Sequence, residues 1–137
     1  MNTDLFARQA WSKAEVHLAE AAALKPDVAP GAMVHLAYYA MFHAARAVLL
    51  REEGASPKKH ASAIRQFGLF VKDRALEFRR AGKDLSDIQE RRIKADYGET
   101  MRISAADADD AFRKAKAFLD LCASKFGFPR SELSRDG

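Results

Sequence analysis

Apolar and small residues recur at three- and four-residue steps along nearly the whole chain, and no Val- or Ile-rich segment alternates with polar residues as a strand would. One segment departs from simple amphipathicity. Between residues 30 and 50, Arg46 is the sole charged side chain, and the stretch 37–50 reads AYYAMFHAARAVLL. A helix that is apolar nearly all round has to be covered on most sides. It is therefore expected at the centre of a helical bundle. The same segment carries His35, Tyr38, Tyr39, His43 and Arg46, whose polar tips need partners if they are buried.

The pattern predicts further helices on either side. The first runs from Thr3 or Asp4 to Leu24, with Trp11, Ala14, Leu18 and Ala21 as its inner stripe and Pro26 beyond its end. Pro30-Gly31 opens the second, which is expected to run to Glu53 and stop at Gly54. Ser56-Pro57 reads as a capped start with proline at the first helical position. A third helix follows with His60, Ile64, Phe67 and Val71, either breaking near Lys72 or continuing through Leu76 and Phe78. Gly82 is expected to separate it from a fourth helix bearing Leu85, Ile88, Arg91, Arg92, Ala95 and Asp96. Ser104, with Asp107 three residues on, resembles a capping box that uses Asp for Glu. Ala105, Ala108, Phe112, Ala115, Leu119, Cys122 and Phe126 then mark a regular seam suited to antiparallel packing, ended by Phe-Gly-Phe-Pro at 126–129. The expected fold is all-α: an up-and-down four-helix bundle with an additional fifth helix, sequential helices being antiparallel neighbours. Residues 1–130 read as a single domain and 131–137 as a loose tail.

Length and charge narrow the class. A chain of 137 residues is near the modal size of one domain. Lys and Arg number 23 against 19 for Asp and Glu, a formal charge of +4, which favours approach to an anionic partner without specifying nucleic acid. The single cysteine, Cys122, excludes an intrachain disulfide and any multi-cysteine zinc site, and its place on the last seam marks it as core. The acidic and polar residues of MNTDLFARQAW do not form a signal-peptide core, so a cytoplasmic protein is expected. Residues 30–50 are long enough to cross a bilayer. Arg46 would cost about 2.5–3.5 kcal/mol near its centre, however, and the histidines and tyrosines add to this, so no membrane association is expected.

The segment AYYAMFHAARAVLL, GASPKKH a few residues later, and RRIKADYG on the fourth helix together resemble the HEPN domain (higher eukaryotes and prokaryotes nucleotide-binding). The likeness covers roughly residues 4–125 and is closest to the small stand-alone UPF0332-like branch. It implies an up-and-down helical bundle. It also implies one of two activities. Many HEPN domains are metal-independent ribonucleases, often toxins; others pair with a minimal nucleotidyltransferase in a two-protein, toxin–antitoxin-like module. The ribonuclease signature is an Arg and, after four to six residues, a His on one late helix. There Arg can clamp a phosphate in bidentate fashion while His moves a proton. Here Arg91 is followed after four intervening residues by Asp96, then Tyr97. Asp is ordinarily anionic at neutral pH and disfavours an adjacent phosphate. The resemblance therefore implies a non-catalytic, homodimeric HEPN interaction module, with a nucleotidyltransferase, a nucleotide or RNA as partner. The alternative is a metal-independent endoribonuclease toxin using Arg91 and Asp96.

Candidate residues each carry a plain structural reading as well. Arg91, Arg92, Lys94 and Tyr97 suit a phosphate-facing patch, and equally a solvated face in which Arg92 and Asp96 pair at four-residue spacing. The wording Ala-Asp-Tyr at 95–97 suggests that Asp96 and Tyr97 turn inward to meet the second helix, with Asp96 accepting from Tyr39, His43 or Arg46. His35, Tyr39, His43 and Arg46 line one face of the second helix as a polar seam. His35 and His43 are separated by about 12 Å of helical rise, too far to share a metal ion, and no metal or cofactor is expected. Lys58, Lys59 and His60 at a helix start could hold a phosphate, or simply be a solvated first turn. His17, between Glu15 and Glu20, reads as surface.

Overall fold

The structure, a computed structural model, describes residues 3–97 and 102–131. Five helices follow one another: α1 (Thr3–Ala22), α2 (Pro30–Glu53), α3 (His60–Val71), α4 (Leu76–Tyr97) and α5 (Ala105–Phe126), with no strand among the described residues. The protein is all-α, with four long helices and the short α3 as the additional one.

Helix α2 is the hub, and every other helix packs against it. It begins at Pro30, whose missing N–H is no loss in a first turn. It ends at Gly54 in the left-handed conformation, φ 78°, with its N–H on the Leu50 carbonyl. It is the one helix among the described residues long and apolar enough to cross a membrane, yet 67% of its most apolar window is buried inside the protein. Ala37, Ala40, Ala44, Ala45 and Ala47 have no exposed surface, so neighbouring helices approach closely around them. Larger side chains fill the remaining space: Trp11 and Leu18 from α1, Tyr38 and Met41 from α2, Phe67 from α3, Leu85 and Ile88 from α4, and Leu119 from α5. Each such burial stabilises by about 1.5–3 kcal/mol.

Side-chain pairs fix the directions. Asp4 meets Arg51, and His17 stacks on His43, so α1 and α2 are antiparallel. Phe78 meets Phe126 and Arg91 meets Asp107 and Asp110, so α4 and α5 are antiparallel too. Helix α3 departs from the expected alternation. Its first residue bonds to Tyr38 while Gln66 reaches Glu53, so it runs in the same sense as α2. Residues 54–59 carry the chain back along α2 before α3 begins, and for this reason α3 starts at His60 rather than at Pro57. Ser56 hydrogen-bonds the Pro57 carbonyl and caps nothing, and the residue preceding α3, Lys59, makes no side-chain cap.

Gly82 also differs from expectation. It lies within α4 rather than before it. A methyl group there would sit 3.0 Å from Val71 Cγ2, so the missing side chain lets α4 lie against α3. The α5 boundaries match the sequence reading: the Ser104 hydroxyl accepts from the Asp107 N–H, and Gly127 closes the helix at φ 77°. Beyond it, Phe128 stacks on Trp11 at 4.6 Å and the indole N–H donates to the Pro129 carbonyl at 2.6 Å. Ser131, expected in a loose tail, is held by Glu15 through its N–H at 2.6 Å. The rest of that tail, 132–137, lies outside the described residues.

Candidate functional site

Helix α2 is covered except along one stripe. His35, Tyr39, His43, Arg46 and Leu50 are half-buried, while the residues between them are enclosed, save Leu36, which is also half-buried. Their spacing of four, four, three and four residues is one helical face. The uncovered surface along this stripe is thus mostly polar.

A cluster forms at the middle of this stripe. The Tyr38 hydroxyl and His60 Nδ1 share a hydrogen bond of 2.7 Å, and Phe42 stacks on the His60 ring at 4.1 Å. Arg92 arrives from α4. One guanidinium nitrogen donates to the Tyr39 hydroxyl at 3.3 Å, and its carbon lies 5.0 Å from the centre of the Tyr38 ring. On the other side His17 stacks on His43 at 5.5 Å and contacts the Tyr39 ring at 5.8 Å. Four helices therefore supply one patch of aromatic rings, imidazoles and a guanidinium.

The electrostatics follow from this crowding. Burial lowers His43 to about 4, and the positive charge of His17, Arg46, Lys13 and His60 adds to the effect. Burial and then Arg92 lower His60. Both imidazoles are neutral at physiological pH and can donate or accept a proton. Burial raises the Tyr38 hydroxyl above its ordinary value, partly opposed by Arg92, so it stays protonated. Nδ1 of His43, Nε of Arg46 and Nε of Arg92 are buried without a hydrogen-bond partner among the described residues. Such donors and acceptors are costly to leave unmade.

The residues singled out from sequence separate into distinct places. Arg91 turns away from α2 towards α5. It donates to the Asp107 carbonyl at 2.8 Å and to the Asp110 carboxylate at 3.1 Å. Burial raises the Asp110 carboxyl, but hydrogen bonds from Arg91 and Lys114 outweigh it and hold the group below its ordinary value. Asp96 does turn towards α2, yet its partner is His35, whose Nε2 lies 2.5 Å from the carboxylate. That replaces the expected Tyr39, His43 or Arg46, because the end of α4 lies beside the start of α2. Arg91 and Asp96 thus face different helices and do not converge within one chain. Arg92 and His60 join the central cluster. Lys94 lines a cleft with Arg91 that also holds Asp87, Glu90 and Asp107. Tyr97, expected to turn inward beside Asp96, instead lies at the last position of α4 and is 83% exposed; Lys59 is exposed, and Lys58 lines a groove beside α1. Arg46 lines the same groove. The sequence reading missed His17, taken as surface, and Lys13. Their spacing of four residues on α1 was the available signal.

Comparisons with known proteins agree with this architecture. The HEPN domain model matches residues 7–125. A relative named "Putative toxin MJ0605", from Methanocaldococcus jannaschii, is 36% identical over 84 residues, 61% of each chain. "UPF0332 protein PH1297" of Pyrococcus horikoshii is 61% identical over 33 residues, 24% of this chain and 22% of the relative. The matches thus span less than two thirds of either relative. No solved structure matches the chain. With the family model covering all five helices from the second turn of α1 to the last turn of α5, the chain belongs to the HEPN domain family.

Proposed function

We propose that this protein is a HEPN interaction module of a toxin–antitoxin-like pair that binds RNA or a nucleotide phosphate at the Arg92 cluster, midway along the open stripe of α2. The carrying observation is the placement of Arg92, drawn across Tyr38 and Tyr39 beside His60, with a buried Nε left unpaired. A guanidinium in that position meets a phosphate oxygen bidentately, and the tyrosine and histidine rings offer faces for a base. Non-catalytic binding is favoured because Arg91 and Asp96 are each committed to other partners. A minimal nucleotidyltransferase and a second copy of the chain are the proposed protein partners, in a cytoplasmic setting. The relative named as a putative toxin supports a toxin-like role.

One observation favours a second reading, a metal-independent endoribonuclease. The neutral imidazole of His60 lies beside Arg92, and that of His43 lies against Tyr39, a combination able to move protons around a phosphodiester. A single experiment separates the two. A labelled single-stranded RNA is incubated with the protein in EDTA, and both retention and cleavage are scored. The module reading expects retention that Arg92→Ala weakens roughly tenfold, with intact RNA. RNA cut by the wild type and left whole by His60→Gln replaces the module with the enzyme. RNA neither retained nor cut removes both.

A further inference from the structure

The register of α1 against α2 creates a second feature. Asp4 opposite Arg51 and His17 opposite His43 place Phe6, Ala10 and Lys13 across from Leu50 and Arg46. Between them lies a groove of about 750 Å³, lined also by Gly54, Ala55 and Ser56 of the connection after α2. Its lining runs along α1 from Thr3 to Lys13, about 15 Å of helix.

The groove has a definite polarity. Phe6, Leu50 and Ala55 make one end apolar, and Phe6 is 50% exposed there. Lys13 and Arg46 make the other end cationic, and Lys58 adds a third cation from the connection before α3. None of the lining residues is acidic. Lys13, Arg46 and Lys58 form no ion pair among the described residues. The nearby carboxylate of Asp4 is already taken by Arg8 and Arg51. Arg46 also keeps a buried Nε without a partner among the described residues. A surface of half-exposed phenylalanine and leucine with unpaired cations at its border matches the composition of protein-binding patches, where aromatic residues and arginine are enriched.

We propose that this groove is a docking site for an acidic amphipathic segment of a partner protein. The segment sets apolar side chains on Phe6 and Leu50 and its carboxylates against Lys13, Arg46 and Lys58. Three cations supplied by α1, α2 and the 54–59 connection are spread along the groove rather than focused on one point. That suits a segment with several carboxylates better than a single small anion. A helix laid into the groove would span about three turns, enough for anchors at four-residue spacing. The site is separate from the Arg92 cluster and does not depend on RNA binding there.

The test uses the full chain and a fluorescein-labelled helical peptide of about sixteen residues, with leucines at four-residue spacing and glutamates between them. Fluorescence anisotropy is expected to rise on titration. Phe6→Ser and Lys13→Glu, both at exposed positions, are each expected to weaken binding roughly tenfold, while Arg92→Ala leaves it unchanged. A lysine-for-glutamate version of the peptide is expected not to bind. Circular dichroism and the denaturation midpoint establish that each variant is folded. Four results overturn the proposal: no binding up to about 1 mM peptide, equal binding of the lysine peptide, insensitivity to both α1 substitutions, or displacement by an oligoribonucleotide whose own binding Phe6→Ser abolishes. The last assigns the groove to RNA. Loss of RNA binding in Arg92→Ala with peptide binding intact separates the two sites.

Discussion

Tyr38 and His60, 22 residues apart, share a 2.7 Å hydrogen bond that ties the first turn of α3 to the middle of α2. The Tyr38 ring is fully buried, so its hydroxyl has no water to fall back on. Tyr38→Phe keeps the packing and removes the bond, leaving His60 Nδ1 without its partner. The expected loss is about 1–2 kcal/mol in urea denaturation at neutral pH. A loss no larger than that of a surface substitution would mean the bond does not hold α3 in place.

The same region makes stability depend on pH. His43 is held at about 4, below the ordinary 6.5, so the unfolded chain takes up the proton first. Its contribution is complete above pH 6.5 and is lost as pH falls towards 4. His60 acts in the same direction. The urea midpoint is expected to drop between about pH 7 and pH 5, and His43→Gln to flatten that slope, as followed by circular dichroism. His17, Lys13 and Arg46 face His43 and hold its charged form off, so the slope also reports on them.

Adjacent arginines on α4 should behave differently. Arg91→Ala removes the hydrogen bonds to Asp107 and Asp110 that join α4 to α5. It is expected to lower stability by about 1 kcal/mol in denaturant titrations, with RNA retention kept. Arg92→Ala is expected to lose RNA retention with a smaller change in midpoint. The reverse result would move the phosphate-facing patch to the α4–α5 cleft.

Two glycines on facing helices give a contrast in sign. Gly68, within α3, has open space where a side chain would go, so Gly68→Ala should stabilise by about 0.5–1 kcal/mol through helix propensity alone. Gly82→Ala meets Val71 Cγ2 at 3.0 Å, and Val71 is both buried and stiff at χ1. That contact should cancel the gain or reverse it by about 1 kcal/mol. Melting temperatures of the two variants, measured side by side, decide the point.

The Asp96–His35 pair is half exposed on both sides, so it should contribute little. Asp96→Ala is expected to lower the unfolding free energy by less than about 1 kcal/mol in urea titrations. A larger loss would give Asp96 the buried structural role that its sequence context suggested.

Helix boundaries set by local chemistry were legible in the sequence. Pro30 and Gly54 bracket α2 because proline and left-handed glycine act on their own turns, and Ser104 announces α5 by the same local logic. Features set by distance in space were not. Ser56-Pro57 carries a start signal, but the chain has to travel back along α2 before a helix there can dock, and nothing in six residues encodes that path. Gly82 looks like a break until Val71 is known to lie opposite. His35 rather than Tyr39 receives Asp96, and His17 rather than any α2 residue covers His43, because the sliding of one helix against another is decided by packing across the whole core. The central cluster was half legible: Tyr39, His43, His60 and Arg92 were all picked out, while their convergence, and the orientation of Arg91 away from them, belong to the assembled bundle.

The chain has one tryptophan, and the fold has placed it under its own carboxy-terminal segment, ring against Phe128 and N–H against Pro129. Its emission is therefore a built-in optical gauge. Release of residues 128–131 from α1 would wet the indole and shift its spectrum to the red while far-ultraviolet ellipticity stayed constant. Peeling of residues 128–131 can thus be told apart from melting of the helices without attaching any dye.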